Sequence, residues 1–341
     1  MANRKVTKDV SDSVIAAAVL AGFPLNKLDR IVEFKDAATV TVKGSNLIPM
    51  RIGDNWFLID TDTDVSTATD MDTGAISNGA DYFVYACDNV GSLVFKISLA
   101  STFPAGFAAA TSRKIGGFHT LCTNVGVIAS HTLTGYTANS VLPQSVWDLK
   151  HRPICEPIGM VWSDEAQVWV DIYLASGTGV STTSVNGGTI SDTRDWMNFV
   201  DDFGAVKKQL LNDPEFQLIA AGSNEETNIT GSADPITTGG HVDTAVRRMI
   251  SNIGCEDCCG VKSQWLRDQS AMYEGAVVVG WYDLPGAKGS LYRPVDTNDV
   301  KLFAGGRWDV AAFCGSRCRV AVHSRWYAGQ GLGGRGRSLK I

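Results

Sequence analysis

The sequence predicts a chain of two textures, all-β in its first half and α+β in its second. Three observations carry that expectation. Up to about residue 145, short alternating apolar segments recur between turns of Gly, Asn, Asp and Ser. After about residue 160, two segments keep helical spacing of their apolar side chains. Beyond Gly305 the chain becomes an irregular run rich in Gly and Arg, broken by strand-like pieces.

Taken in order, SDSVIAAAVLAG (11–22) reads as a short helix, capped by Ser11 or Asp12 and stopped at Gly22-Phe23-Pro24. Residues 1–35 are expected to form an N-terminal helix and assembly segment. ATVTVKG then sets Val40 and Val42 against Thr39, Thr41 and Lys43. SLVFKISLA places Leu93, Phe95, Ile97 and Leu99 on one face, and NWFLID and DYFVYAC are further strands. Many short strands at this spacing predict a β-sandwich over residues 36–145.

The texture changes through LPQSVWDLKHRPICEPIGM (142–160). VWVDIYLA is a strand with Val168, Val170, Ile172 and Leu174 on one side. A helix is expected in 192–214, where Trp196, Phe199, Val200, Phe203, Val206 and Leu210 recur and Asp213-Pro214 ends it. A second is expected in 241–254, with Val242, Val246, Met249, Ile250 and Ile253 as its stripe and Gly254 past its end. A polar loop (222–240) separates them. GAVVVGWYDLPG, VKLFAGGRW and RVAVHSRWYA follow as short strands joined by Gly-rich loops. Residues 146–341 thus read as one α+β domain.

Composition narrows the function. With 341 residues, 44% apolar and 19% charged, the chain is an ordinary globular protein of two or three domains rather than a disordered one. The apolar run Val14–Leu20 is too short for a signal peptide or a membrane span, so folding in the cytoplasm and no membrane insertion are expected. Eight cysteines in a chain this long do not make a disulfide scaffold, and reduced thiols are the expected state. Net charge is −6, but unevenly placed. From Gly305 onward there are seven basic residues and one acid, Asp309, giving +6; the other 23 basic and 35 acidic residues give −12.

The chemical motifs are weak. DTDTD (60–64) lacks the Gly and Glu that a calcium loop needs, since Val65 and Met71 stand there. Cys255-x-x-Cys258 suits zinc, but Cys314 and Cys318 have three residues between them and no nearby His, and buried thiols are the simpler reading. No nucleophile elbow, zinc-protease or phosphate-loop pattern occurs, so no catalytic, metal or cofactor residue is assigned. The basic end alternates Arg with Gly, Ala and Cys instead of forming a run, which favours ties to main-chain carbonyls over nucleic acid.

That end sorts into two sets. One is small, cationic or large and rigid: Gly305, Gly306, Trp308, Arg317, Arg319, Arg325, Trp326, Arg335 and Arg337 lead it. Threaded between are positions with no chemical theme: Arg307, Asp309, Val310, Phe313, Val320, Val322, His323, Ser324, Tyr327, Gln330, Gly331 and Leu332. The frame resembles the variable region of diversity-generating retroelement proteins, the phage tropism-determinant family, whose pattern runs GG-x-W, GSR-x-R, RW, GGRGR. Here those pieces are Gly305–Trp308, Gly315–Arg319, Arg325-Trp326 and Gly333–Arg337. DTAVRRMISNIGCEDCCGVKSQWL, YDLPGAKGSLYR, RKIGGFHTLC and SVWDLKHRP extend the likeness upstream.

The resemblance implies a C-terminal C-type lectin-like domain, a core shared with formylglycine-generating enzymes, with its variable region at about 305–337. It implies a receptor-binding tail protein of the virion that meets a host surface molecule, protein or glycan, as a homotrimer beside other tail proteins. It also implies that the themeless set is rewritten at adenines of asparagine codons, which reaches every member except Gln330. On this reading Trp308 and Trp326 anchor the loops in the core and the five frame arginines tie loop carbonyls. Phe313, His323 and Tyr327 would then dominate binding, as aromatics do. Val320 and Val322, two residues apart, are alternatively readable as core strand positions. The alternatives are an enzyme of the formylglycine-generating type, which requires an exposed, acidified Cys314 or Cys318, and a lectin-like binding protein for one fixed ligand.

Overall fold

The computed structural model describes residues 4–6, 30–44, 48–270, 280–283, 289–292 and 300–341. The helix expected at 11–22 and much of GAVVVGWYDLPG lie outside them. The chain divides into two compact units: Met1–Leu121 with Asn139–Arg152 and Ile341, and Cys122–Ala138 with Pro153–Lys340.

In the first unit an antiparallel seven-stranded sheet runs in the order Trp147–Asp148, Ser112–His119, Asp81–Asn89, Ser92–Ser98, Arg4–Val6, Asn55–Ile59, Ile48–Ile52. A second antiparallel sheet holds Val32–Asp36, Thr39–Val42 and Thr63–Ser66. The period-two patterns explain the packing. Val40 and Val42 from the small sheet meet Phe57, Ile59, Tyr82, Val84, Phe95 and Ile97 from the large one in a single core. Leu93 joins that core, but Leu99 lies past the end of its strand and is exposed, unlike its expected place on the apolar face. The buried Asp148 carboxylate fixes where the small sheet begins, accepting from the amides of Ile31 (2.7 Å) and Val32 (3.1 Å).

The second unit has a four-stranded antiparallel sheet in the order Met160–Ser163, Val168–Asp171, Gly336–Ser338, Gln209–Leu210. Its six-stranded sheet runs Trp281–Asp283, Ser290–Tyr292, Gly315–Ser324, Val300–Gly305, Ser263–Ser270, Leu332–Gly333. Val168 and Val170 are buried as expected, and Trp169 and Asp171 on the other face are buried too.

Two α-helices occur among the described residues, and neither follows the expected outline. Helix α1, Trp196–Ala205, is capped by Asp195, whose carboxylate accepts from the Asn198 amide at 2.8 Å. It stops at Ala205 rather than at Asp213, because Lys208 turns inward to meet the buried Asp171 at 2.6 Å and Leu210 enters the sheet. Asp213-Pro214 opens the next helix instead of closing this one. Helix α2, Asp213–Ile219, starts with a capping box between Asn212 and Glu215 and carries proline in its first turn, where no amide is needed.

The helix expected at 241–254 is absent. Asp243 competes for the backbone: its carboxylate accepts from the amides of Ala245 and Arg247, both at 2.9 Å. Val246 then adopts φ 62° and is exposed, while Val242 bridges Arg248 and Ile250 bridges Glu256. The apolar spacing was real but served turns and bridges. Among the described residues no helix is long and apolar enough to cross a membrane.

Candidate functional site

The frame residues are mostly buried and hold main chain. Arg335, fully buried, donates from Nε to Gln264 Oε1 (3.0 Å), from Nη1 to the carbonyls of Asp171 (2.7 Å) and Ile172 (2.6 Å), and from Nη2 to that of Glu256. Arg319 donates to the carbonyls of Ser316 (3.1 Å) and Cys318 (2.6 Å) and to Asp213, and lies over Phe216. Arg337 reaches Gln209 Oε1 at 2.8 Å. Gly305 (φ 89°) and Gly306 (φ 78°) take a left-handed turn against the carbonyl of Cys258 and the side chain of Cys314. Trp308 is half-buried and packs beside Met249 and Val261.

One frame assignment needs correction. Trp326 is 67% exposed and does not anchor the loops in the core. The strand ends at Ser324, whose carbonyl accepts from the Tyr327 amide (3.1 Å), and that turn points Trp326 outward while Arg325 lies over the Trp196 ring. Arg317 is exposed on the Gly315–Ser324 strand.

The themeless positions converge. Arg307, Val310, Val320, Val322, His323, Tyr327 and Leu332 line one cleft of about 270 Å³, together with Ser263, Trp281, Tyr292, Phe303 and Gly306. The strand register explains how neighbouring side chains share this wall. Lys301 pairs with His323 but Phe303 with Val320, so the Gly315–Ser324 strand carries an extra residue opposite Leu302. Such a bulge breaks the alternation and turns both Val322 and His323 to the cleft.

Aromatic rings stack along it. His323 lies flat on Tyr327 (centroids 3.6 Å, planes 7°) and beneath it on Phe303 (5.6 Å, 10°). Phe313 stacks on Trp281 (4.7 Å, 6°), which in turn meets Tyr292 (5.0 Å). Burial, and secondarily the nearby Arg307 cation, hold the His323 imidazole below its ordinary pKa. Arg307 closes a bidentate pair with Asp309 at 2.6 and 3.0 Å.

The remaining members differ. Asp309, Phe313 and Gln330 are exposed and Ser324 is half-buried, all outside the lining. Gly331 is buried, and Leu332, although it touches the cleft, is a core residue packed with Trp265 and Phe303. Val320 has both roles, lining the cleft and packing against that core.

Sequence reasoning missed the other half of the wall, Trp281, Tyr292, Phe303 and Ser263, which sit in strands upstream of the frame. It also missed the polar supports. Lys262, with none of its side chain exposed, meets Asp192 (2.8 Å), Asp234 (2.5 Å) and the Gln330 carbonyl (2.5 Å). Glu225 accepts from the amide and hydroxyl of Ser316 at 3.0 and 2.7 Å. A lone lysine inside CCGVKSQWL was the available signal for the first.

All eight cysteines are free and buried. Burial pushes the Cys318 thiol up to about 12 and raises Cys314 as well, the opposite of the exposed, acidified thiol that the enzyme alternative requires. Among the described residues no group of three or more His, Cys, Asp or Glu is arranged to hold a metal ion.

Comparison with known proteins places this geometry. Residues 30–148 match the Mtd second domain family. The chain is 27% identical over 365 residues to the tail fiber receptor-binding protein of Bordetella phage BPP-1, covering 96% of this chain and 90% of that protein. Its fold matches the U1 variant of the Major Tropism Determinant with a TM-score of 0.74 and 25% identity, over 94% of this chain and 86% of that one. The M1 variant matches with a TM-score of 0.74 and 24% identity, over 94% and 85%. In its second domain, along nearly its whole sequence and in its fold, the chain is similar to the phage Major Tropism Determinant.

Proposed function

We propose that this chain is the receptor-binding protein of a phage tail, recognising a host surface molecule through the cleft and the exposed positions around it. One observation supports this most. Seven positions that share no chemistry in the sequence line a single cleft, while Gly305, Gly306, Arg319, Arg335 and Arg337 around them are buried. A frame that bonds main chain to main chain keeps its shape when outward side chains change. The diversified set is then the ligand-binding surface, rewritten through a retroelement.

On this reading residues 1–35 serve assembly with other tail proteins, 36–145 form a sandwich domain, and 146–341 form the lectin-like domain. The chain acts in the virion as a homotrimer, so that several weak contacts add by avidity. It performs no catalysis, and the buried, basic thiols give the enzyme alternative no support.

The test is binding of the purified full chain to intact host cells, with Phe313→Ala and Tyr327→Ala beside it. Loss of binding in folded variants is expected; undiminished binding in both would place recognition elsewhere. Sequencing downstream of the gene tests the diversification: a near-copy of codons 305–340 differing at adenines, beside a reverse transcriptase gene, is expected.

A further inference from the structure

Gly331 and Arg307 both hang from one short segment of main chain. The Ser263 amide donates to the Gly331 carbonyl at 2.9 Å, and the Trp308 amide donates to the Val261 carbonyl at 3.1 Å, with Arg307 bridging Val261 in parallel. Between those two residues, Lys262 holds the Gln330 carbonyl. The Leu332 amide donates to the Gly329 carbonyl at 3.1 Å. Neither backbone retreats without breaking main-chain bonds, so the distance between positions 307 and 331 is set by the frame.

Gly331 is not in the left-handed region, so its backbone accepts any residue. What stands in the way is a side chain. A Cβ at 331 would lie 2.6 Å from Cδ, 3.0 Å from Nη1 and 3.4 Å from Nε of Arg307. The arginine side chain is 42% exposed and free to swing elsewhere, whereas the main chain is not. Its present course ends in the bidentate pair with Asp309 and forms part of the cleft wall.

We propose that position 331 determines specificity without facing the cleft, because glycine there leaves the room that the Arg307 stem occupies. Any side chain at 331 drives the guanidinium off Asp309. The cleft then loses one wall, and an acid that was neutralised by its neighbour becomes free to meet ligand. Positions 307, 309 and 331 therefore act as one unit: with a side chain at 331, a long residue at 307 must leave the course that pairs it with Asp309. The inference rests on the reading of the cleft as the receptor site.

The experiment compares full-length wild type, Gly331→Val, Arg307→Ala and the double variant, using ¹⁵N NMR of the arginine Nε–H groups, urea unfolding and host-cell binding. The Arg307 Nε–H, bonded to Asp309 in the wild type, is expected to exchange at least tenfold faster in Gly331→Val. The unfolding midpoint of the double variant is expected to match that of Arg307→Ala alone, which also decides the matter if Gly331→Val does not fold. Unchanged exchange in Gly331→Val, or a double variant as destabilised as Gly331→Val, overturns the steric coupling. Coupling confirmed with host-cell binding equal in wild type and Gly331→Val overturns the specificity role. If wild type itself does not bind host cells while the coupling stands, it is the receptor reading that has failed.

Discussion

Lys262 donates from its ammonium to the main-chain carbonyl of Gln330 at 2.5 Å, with no part of its side chain reaching solvent. The same nitrogen meets Asp192 and Asp234, whose side chains are about one-third exposed (32% and 31%). One buried cation thus fixes the loop that leads into Gly331 and Leu332. Replacing it with methionine keeps the stem and removes the charge, leaving two acids and a carbonyl to find water. Lys262→Met is expected to cost about 2–4 kcal/mol in urea unfolding, at or below the range for a broken buried pair because both acids reach solvent.

Arg335 is the stronger test of the frame. Its fork serves three carbonyls and a carboxamide at once, which a lysine cannot reproduce. Arg335→Lys is expected to lose about 3–5 kcal/mol, since buried acceptors are left unpaired. A loss under about 1 kcal/mol, the scale of an exposed contact, would remove Arg335 from the frame.

Positions that share a set should behave differently in stability. Leu332 is 3% exposed and packs with Trp265 and Phe303, so Leu332→Ala is expected to destabilise by about 2–4 kcal/mol. Phe313→Ala and Ser324→Ala, nearer the surface, are expected to stay within about 1 kcal/mol. Thermal unfolding of the three variants separates the core member from the others.

The His323 stack carries a pH signature. Its folded pKa lies below the unfolded value of about 6.5, so the unfolded chain binds the proton more readily. The neutral ring's contribution is fully present above about 6.5 and is lost as pH falls through that value toward the folded pKa. Imidazole NMR should show His323 titrating below an unfolded peptide control. His323→Phe should remove that part of the acid sensitivity, while His241, raised by Asp257, continues to contribute with opposite sign.

The thiols give a kinetic check. With Cys314 and Cys318 both buried and basic, iodoacetamide at neutral pH is expected to leave the native protein unlabelled and to label it once unfolded in urea. Rapid native labelling of either residue would revive a catalytic thiol.

Much of this was legible in the sequence because it depended on local period. Val40, Val42, Leu93, Phe95 and Ile97 point inward by alternation alone, and the frame arginines announce themselves by type. The errors came where a side chain or a distant partner overrode the local pattern. Asp243 took the amides that a helix needed, Asp171 drew Lys208 out of α1's continuation, and a turn at Ser324 sent Trp326 to solvent. The far wall of the cleft was not legible, because Trp281 and Tyr292 meet the Gly315–Ser324 strand only through sheet pairing across sequence.

The strand Gly336–Ser338 lies in the middle of its sheet, between Val168–Asp171 and Gln209–Leu210, and Arg335 beside it knots three other segments. Both are translated after every position of the cleft. A chain that stops early or slips its reading frame anywhere between 307 and 332 therefore arrives without the piece on which its domain closes. The cleft is therefore written first and closed last: its walls depend on a central strand and an arginine fork that lie beyond them in the sequence.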